Sequence, residues 1–149
     1  MTPHALKAIA ERINTGTENS DTSRALVVFD LTPQPQSGVA IFRASMSWPR
    51  GLPLPPVVVT DSDNIPVPSA VNDLKQDADK KGRADRWQLS FAIYFAVTDV
   101  PANGWRTYVA AYADTPAPLL EDFVETHGLA VVETTRHGGE LAMVGTLGA

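Results

Sequence analysis

The stretch that decides the fold is Trp87-Gln-Leu-Ser-Phe-Ala-Ile-Tyr-Phe-Ala-Val97, in which large apolar side chains alternate with smaller or polar ones. Side chains on a strand point alternately to the two faces of a sheet. The pattern therefore predicts a long strand with one buried face. The residues predicted to form its structural core are Trp87, Leu89, Phe91, Ile93 and Phe95. After the break Val-Pro-Ala-Asn-Gly at 100–104, a second strand is predicted over 105–112, which indicates an all-β protein.

The composition limits the class of protein. The chain has 149 residues, of which 44% are hydrophobic, and its 12 prolines and 10 glycines lie mainly between apolar runs. One domain, alone or with pieces of its neighbours, is expected at this length. The net charge of −5 argues against sequence-independent nucleic-acid binding, which requires a basic surface. Because the chain has no cysteine, it has neither disulfides nor thiolate metal sites.

Targeting and membrane-spanning segments are not evident in the sequence. No N-terminal run combines a basic head with an apolar core, as a signal peptide would. No stretch approaches the roughly eighteen consecutive apolar residues that indicate a membrane helix. We therefore expect a cytoplasmic protein that does not contact membranes.

The N-terminus predicts a short amphipathic helix. Thr2 is a favourable N-cap and Pro3 is favourable at the first helical position. Leu6, Ile9 and Ile13 then fall on one face of the helix. A helix of about a dozen residues is marginal on its own, so this stripe is expected to need a partner from a missing neighbouring segment.

The other predicted elements are strands joined by loops. Further strands are predicted at 24–30, 38–48, 57–60 and 65–71. The segment 72–86 is the most polar of the chain and is predicted to be a solvated loop. The segment 116–126 is predicted to be extended or irregular. A C-terminal hairpin is predicted from 129–135 and 140–145, with its turn at His137.

Several motifs occur in an order that matches a known family. They are Ala25-Leu-Val-Val-Phe-Asp30, Gln36-Ser-Gly-Val-Ala40, Val57-Val-Val-Thr60, Ile65-Pro-Val-Pro-Ser69 and Val100-Pro-Ala-Asn-Gly-Trp-Arg-Thr-Tyr108. Together they resemble the first β-sandwich behind the catalytic barrel of alpha-mannosidases in glycoside hydrolase family 38. Asp30 stands where that family usually has Asn. Downstream, Leu120-Glu-Asp122 and His137-Gly-Gly-Glu-Leu141 resemble the start of the family's next β domain.

The resemblance implies a fold and a division of the chain. The implied fold is an immunoglobulin-like antiparallel β-sandwich with a short N-terminal helix. Residues 1–20 would be the end of a preceding helical segment with its linker, and residues 21–116 the sandwich itself. Residues 117–149 would be either the start of the following β domain or a C-terminal hairpin packed on the sandwich.

The resemblance also implies a parent enzyme. Such a parent hydrolyses alpha-mannosides in carbohydrate metabolism, with a divalent metal, usually zinc, on a barrel that this chain does not contain. The implied partners are that catalytic barrel and the C-terminal β domain of the parent chain. Self-association of the fragment through its ends is a further expectation. No position here matches the family's catalytic or metal-binding motifs, so we predict no catalytic residue, no metal ligand and no cofactor in this chain.

Polar residues that could carry chemistry have plainer interpretations. Asp61-x-Asp63-Asn64 starts like a calcium loop but lacks the later ligands, so a turn is predicted. The three histidines have no ligand partner at a spacing of three or four residues. A glycosidase needs a carboxylate pair. The carboxylates of the polar segment are Asp73, Asp77, Asp79 and Asp85. Without burial, none of them would act as a general acid at neutral pH.

Two tryptophans are candidates for contact with carbohydrate. Trp48 and Trp105 could stack on sugar rings, although core packing is what large aromatic side chains mostly do. Trp105 follows a turn glycine, so its partial exposure is expected. The alternative function is therefore a stand-alone immunoglobulin-like module that binds carbohydrate or protein.

Overall fold

The computed structural model describes residues 2–53, 55–79, 81–135 and 138–147. These residues form eight strands and one short helix in two antiparallel sheets. The elements are α1 (Pro3–Ala10), β1 (Ser23–Asp30), β2 (Gln36–Pro49), β3 (Val57–Thr60), β4 (Ser69–Ala78), β5 (Arg86–Val100), β6 (Gly104–Tyr112), β7 (Leu129–Thr134) and β8 (Val144–Thr146). The first sheet has the order β3-β6-β1-β7, with β8 also paired to β6, and the second sheet has the order β2-β5-β4. The all-β sandwich with a short helix predicted from the sequence is confirmed.

The principal core lies between the two sheets and is built on β5. Leu89, Phe91, Ile93 and Phe95 are each at most 4% exposed. Because β2 and β5 pair over their whole length, inward side chains of β2 such as Phe42 and Met46 lie opposite inward side chains of β5. The alternation that predicted this strand is thus the alternation between core and outer face. Trp87, at the start of the strand, packs against the same core from a half-buried position.

A second apolar cluster lies on the outer face of the first sheet, under α1. The Thr2 hydroxyl caps the helix by accepting a hydrogen bond from the Ala5 amide. The buried members of the cluster are Leu6, Ala10, Ile13, Val27, Phe29 and Trp105. The helical stripe is therefore covered within this chain, and the prediction that it needs a missing neighbour is wrong. In the described part of the chain, no helix is long and apolar enough to span a bilayer.

Strand β4 extends into the segment that was predicted to be a polar loop. It pairs with β5 as far as Ala78, with a register shift between Asn72 and Lys75 and a left-handed backbone at Asp73. Its residues from 71 to 78 are all exposed. Because neither face of this part of the strand is buried, its sequence does not alternate between polar and apolar residues. The loop prediction was wrong because backbone hydrogen bonds to β5 hold this segment as a strand. The backbone of the long strand β5 can form such bonds with a neighbouring segment of any sequence.

The C-terminal strands do not form a hairpin. β7 pairs with β1 and β8 pairs with β6, so two other strands separate them in the sheet. The hairpin prediction was wrong because β1 and β6 each offer an open backbone edge to a returning strand. His137, the predicted turn, lies outside the described residues. How the chain divides between this domain and a following one stays a prediction.

The connection from β6 to β7 crosses the outer face of the second sheet as a strap, which we define as residues 114–126. At one edge, the Ser69 amide donates to the carbonyl of Pro118 and the Leu120 amide to the carbonyl of Ser69, at 3.0 and 3.2 Å. At the other edge, the Thr126 amide donates to the carbonyl of Val39 at 2.9 Å. The strap thus has no regular secondary structure and is held at both edges of the sheet.

Candidate functional site

Trp105, one of the two sugar-contact candidates, is enclosed by the protein. It is 4% exposed, and its indole N–H donates to the carbonyl of Ala142 at 2.9 Å. The chain crosses the ring at Gly145, where an added Cβ would lie 2.5 Å from a ring carbon. The expected partial exposure was wrong, because the helix and the C-terminal segment cover the face on which the ring lies. This leaves no ring face free to stack on a sugar.

Trp48 and Trp87 are half-buried and lie opposite each other on the paired strands β2 and β5. The Trp48 ring packs edge to face on Tyr112 with centroids 4.7 Å apart, and its N–H donates to the carbonyl of Pro53 at 3.1 Å. The guanidinium of Arg50 lies over the Trp87 ring, 3.9 Å from its centroid. Both rings are therefore engaged within the chain, and a carbohydrate contact at Trp48 stays a prediction.

The polar segment contains an ion pair, formed by a buried carboxylate and a half-buried arginine, that sequence reasoning missed. The Asp79 side chain is 1% exposed and accepts two hydrogen bonds from the guanidinium of Arg83, at 2.9 and 3.0 Å. Its carboxylate also accepts the backbone amides of Lys81 and Arg83. The hydrogen bonds from Arg83 lower the pKa of Asp79 to about 2, against desolvation that acts in the opposite direction. The spacing of four residues between the two opposite charges was the available signal.

Arg83 belongs to a larger polar cluster that connects the two sheets. It donates to Asp21 before β1 and to Ser47 on β2, both at 3.2 Å. Arg24 on β1 donates to the carbonyl of Ser45 on β2 at 2.8 Å. An open cavity of about 250 Å³ lies at this cluster, lined by Asp21, Arg24, Ser45, Ser47, Asp79, Lys81, Arg83 and Gln88.

The chemistry available to this cluster is limited. Every nitrogen of the Arg24 and Arg83 guanidiniums has a partner within the chain. Asp79 has a pKa far below neutral and so is a poor general acid or base at pH 7. The arrangement is suited to tying the segment 79–86 to both sheets.

An apolar cleft lies between the edge strands β3 and β4. Its volume is about 220 Å³, and it is lined by Pro55, Pro56, Val57, Val71, Leu74, Leu89, Phe91 and Tyr112. Burial raises the pKa of Tyr112 to about 12, and its hydroxyl has no hydrogen-bond partner within the described residues. Among the described residues that line the cleft, this tyrosine is the one titratable group. The cleft can therefore hold apolar groups, but these residues offer no acid or base suited to hydrolysis at neutral pH.

Asp30 is a buried carboxylate whose structural role was not anticipated. It ends β1 at 0% exposure, and its Oδ1 accepts the Thr32 amide at 2.9 Å and the Thr32 hydroxyl at 2.7 Å. Its Oδ2 is buried without a hydrogen-bond partner in the described structure. The Asp-x-Thr spacing at the end of a strand is typical of a turn closed by the aspartate side chain, and this was the available signal.

Metal-ligating side chains do not converge in the described residues, where no group of three or more His, Cys, Asp or Glu could hold an ion. The Asp61 carboxylate accepts the amides of Asp63 and Ile65 at 2.9 and 3.0 Å, so it closes a turn, as predicted. His4 and His127 are exposed, and His137 lies outside the described residues.

Comparison with known proteins gives a likeness of fold. No family model matches the chain, and a search of curated proteins finds no match. Among solved structures, a glycosyl hydrolase family 38 protein from Enterococcus faecalis is similar over 80% of this chain, with 13% identity and a TM-score of 0.55. An alpha-mannosidase from Enterococcus faecalis is similar over 76% of this chain, with 18% identity and a TM-score of 0.49.

The chain has the fold of one part of the first of these proteins. It spans 16% of that protein's length and 15% of the alpha-mannosidase. An identity of 13% shows a shared sandwich fold and not a shared activity. The likeness agrees with the family whose sandwich domain the sequence motifs resemble.

Proposed function

We propose that this chain is a non-catalytic β-sandwich domain of a larger glycoside hydrolase that resembles alpha-mannosidases. The observation that carries the proposal is the similarity to a family 38 protein over 80% of this chain but only 16% of that one. The ordered motifs of the sequence resemble the same family. In this role the sandwich supports the catalytic barrel and holds the next β domain in position.

The proposal includes properties of the parent enzyme. The parent would hydrolyse alpha-mannosides in the cytoplasm, with a divalent metal, zinc by resemblance, held by residues of the barrel. The sandwich would be of the immunoglobulin-like type. The residues of this chain serve structural ends in the proposal. Asp79 and Arg83 join its two sheets, and Asp30 closes a turn at the end of β1.

Activity measurements on the 149-residue chain test the first part of the proposal. We expect no turnover of an aryl alpha-mannoside, with or without added zinc, because a retaining glycosidase needs two carboxyl groups about 5 Å apart around its substrate. Asp79→Asn and Asp30→Asn variants serve as controls for contaminating enzyme. Turnover that either substitution abolishes would place catalysis in this chain and overturn the proposal.

The gene that encodes the chain tests the second part. We expect an open reading frame that continues beyond these residues and encodes a barrel with His and Asp metal ligands upstream. A reading frame with no such barrel would favour the alternative, a module that binds carbohydrate or protein on its own. Calorimetric titration with methyl alpha-mannoside would then test Trp48→Ala against the unchanged chain.

A further inference from the structure

The strap carries an uncompensated negative charge. Its sequence contains four carboxylates and no lysine or arginine. The carboxylates are those of Asp114, Glu121, Asp122 and Glu125, and all four residues are exposed. None of them takes part in an ion pair within the described structure. The net charge of the whole chain is −5, so most of its excess negative charge lies in this one segment.

The strap also exposes three large apolar side chains. Leu119 is 74% exposed, Phe123 54% and Val124 72%, whereas the neighbouring Leu120 is only 8% exposed. Phe123 contacts the sheet through one edge-to-face contact with Tyr94, with centroids 5.7 Å apart. Leu120 thus anchors the strap, while its neighbours present an apolar patch bordered by carboxylates. A patch of this kind on a protein surface commonly marks an interaction site.

We propose that the strap is a docking surface for another domain of the same polypeptide, and that the surface it meets is apolar with lysine or arginine at its border. Interfaces bury an apolar centre within a polar rim and match opposite charges across it. A second copy of this strap would be repelled because it carries four negative charges of its own. An anionic membrane would repel the strap for the same reason. This inference rests on the proposed function only in requiring a larger polypeptide.

Hydrogen exchange of the intact polypeptide and of the 149-residue chain tests the proposal. In the strap, the amides of Glu121, Asp122, Phe123 and Glu125 donate no hydrogen bond to any residue that the structure describes, so they should exchange quickly in the isolated chain. In the intact polypeptide we expect these amides to exchange at least tenfold more slowly. Unchanged exchange at these positions would show that the strap is not an interface and would overturn the proposal.

Charge reversal in the intact polypeptide tests the chemistry of the partner. The variant carries Glu121→Lys, Asp122→Lys and Glu125→Lys. The control carries Glu18→Lys, Asp63→Lys and Asp85→Lys, which change the net charge equally at exposed carboxylates that form no ion pair among the described residues. We expect the strap variant to lose the added protection and the control to keep it. If the strap variant kept the added protection, the proposal that the partner surface is basic would be overturned.

The outcome is separable from that of the proposed function. A polypeptide without a barrel, in which the strap is protected, would refute the proposed enzyme and retain the docking surface. A polypeptide with an active barrel, in which the strap exchanges freely, would do the reverse. A chain that ends at residue 149 in the gene would overturn both.

Discussion

A phenylalanine of the second sheet and a phenylalanine of the strap show how the position of a side chain sets its energetic role. Phe91 is 4% exposed in the principal core, and Phe123 is 54% exposed on the strap. We expect Phe91→Ala to lower the free energy of unfolding by about 3–5 kcal/mol, because the substitution leaves a cavity. Phe123→Ala should cost under about 1 kcal/mol. Urea unfolding of both variants checks this pair, and equal losses would contradict the assignment of the core.

The ion pair of Asp79 and Arg83 predicts a dependence of stability on pH. Hydrogen bonds from Arg83 hold the pKa of Asp79 at about 2 in the folded chain, below its ordinary value of 3.8. The unfolded chain therefore binds this proton more readily than the folded one. The stabilisation is complete above about pH 4 and is lost as the pH falls towards 2.

Asp79→Asn should therefore lower the urea midpoint at pH 7, and its midpoint should converge with that of the unchanged chain as the pH falls from about 4 to about 2. Asp85→Asn serves as the control because Asp85 is exposed and has no ion pair among the described residues. A difference from the unchanged chain that persists undiminished at pH 2 would contradict the assignment.

The unpartnered oxygen of Asp30 predicts a stabilising substitution. A buried polar atom without a hydrogen bond costs about 1–3 kcal/mol, and more if it is charged. Asp30→Asn keeps the acceptor for the Thr32 amide and hydroxyl and removes the carboxylate. We expect stability at pH 7 to increase in the order Ala, Asp, Asn at this position, measured by urea unfolding. An Asn variant less stable than the unchanged chain would contradict this prediction.

At the scale of elements, β7 is held by its neighbours in space rather than by its neighbours in sequence. It runs antiparallel to β1, with Leu129 paired to Asp30 at one end and Thr134 paired to Ala25 at the other. Val131 packs against the principal core, and Ala130 and Val132 face the cluster under α1. The strand therefore contributes to both apolar clusters of the molecule.

A pair of valine substitutions tests this role. Val131→Ala should destabilise the chain by roughly 1 kcal/mol, because it removes buried apolar surface. Val124→Ala, on the strap and 72% exposed, should leave the urea midpoint unchanged.

In the same measurement, a chain of residues 21–116 should lose its cooperative transition, since it lacks α1, β7 and β8. Cooperative unfolding of that shortened chain would show that the ends are dispensable.

At the scale of the whole molecule, charge should govern contact between copies. The exposed apolar side chains of the strap favour association, but its four carboxylates oppose it. Salt screens such repulsion, with a Debye length of about 10 Å at 0.1 M. Self-association of the 149-residue chain, measured by sedimentation velocity, should therefore be stronger at about 500 mM salt than at about 20 mM salt. Association that weakens with salt would mean that opposite charges hold the copies together.

Much of the fold followed from local patterns, and little of the site did. The alternation along β5 predicted both the strand and its buried face, and the proline and glycine at 101–104 predicted its end. The exposed strand β4 was missed because an edge strand with no buried face has no alternation. The solvated-loop interpretation of Asp79 failed because burial depends on what other segments cover the residue.

The sequence by itself determined the class of fold, the core face of β5 and the amphipathic helix, because these depend on the spacing of side chains within one segment. Only the tertiary structure decided the partners of β7 and β8, the burial of Trp105, the Asp79–Arg83 cluster and the exposed strap. Each of these depends on contacts between residues far apart in the chain, such as Trp105 with Ala142 or Arg83 with Asp21. An open strand edge or an apolar surface can be covered by many different segments of a chain. Which segment covers it is therefore decided only by the complete set of tertiary contacts.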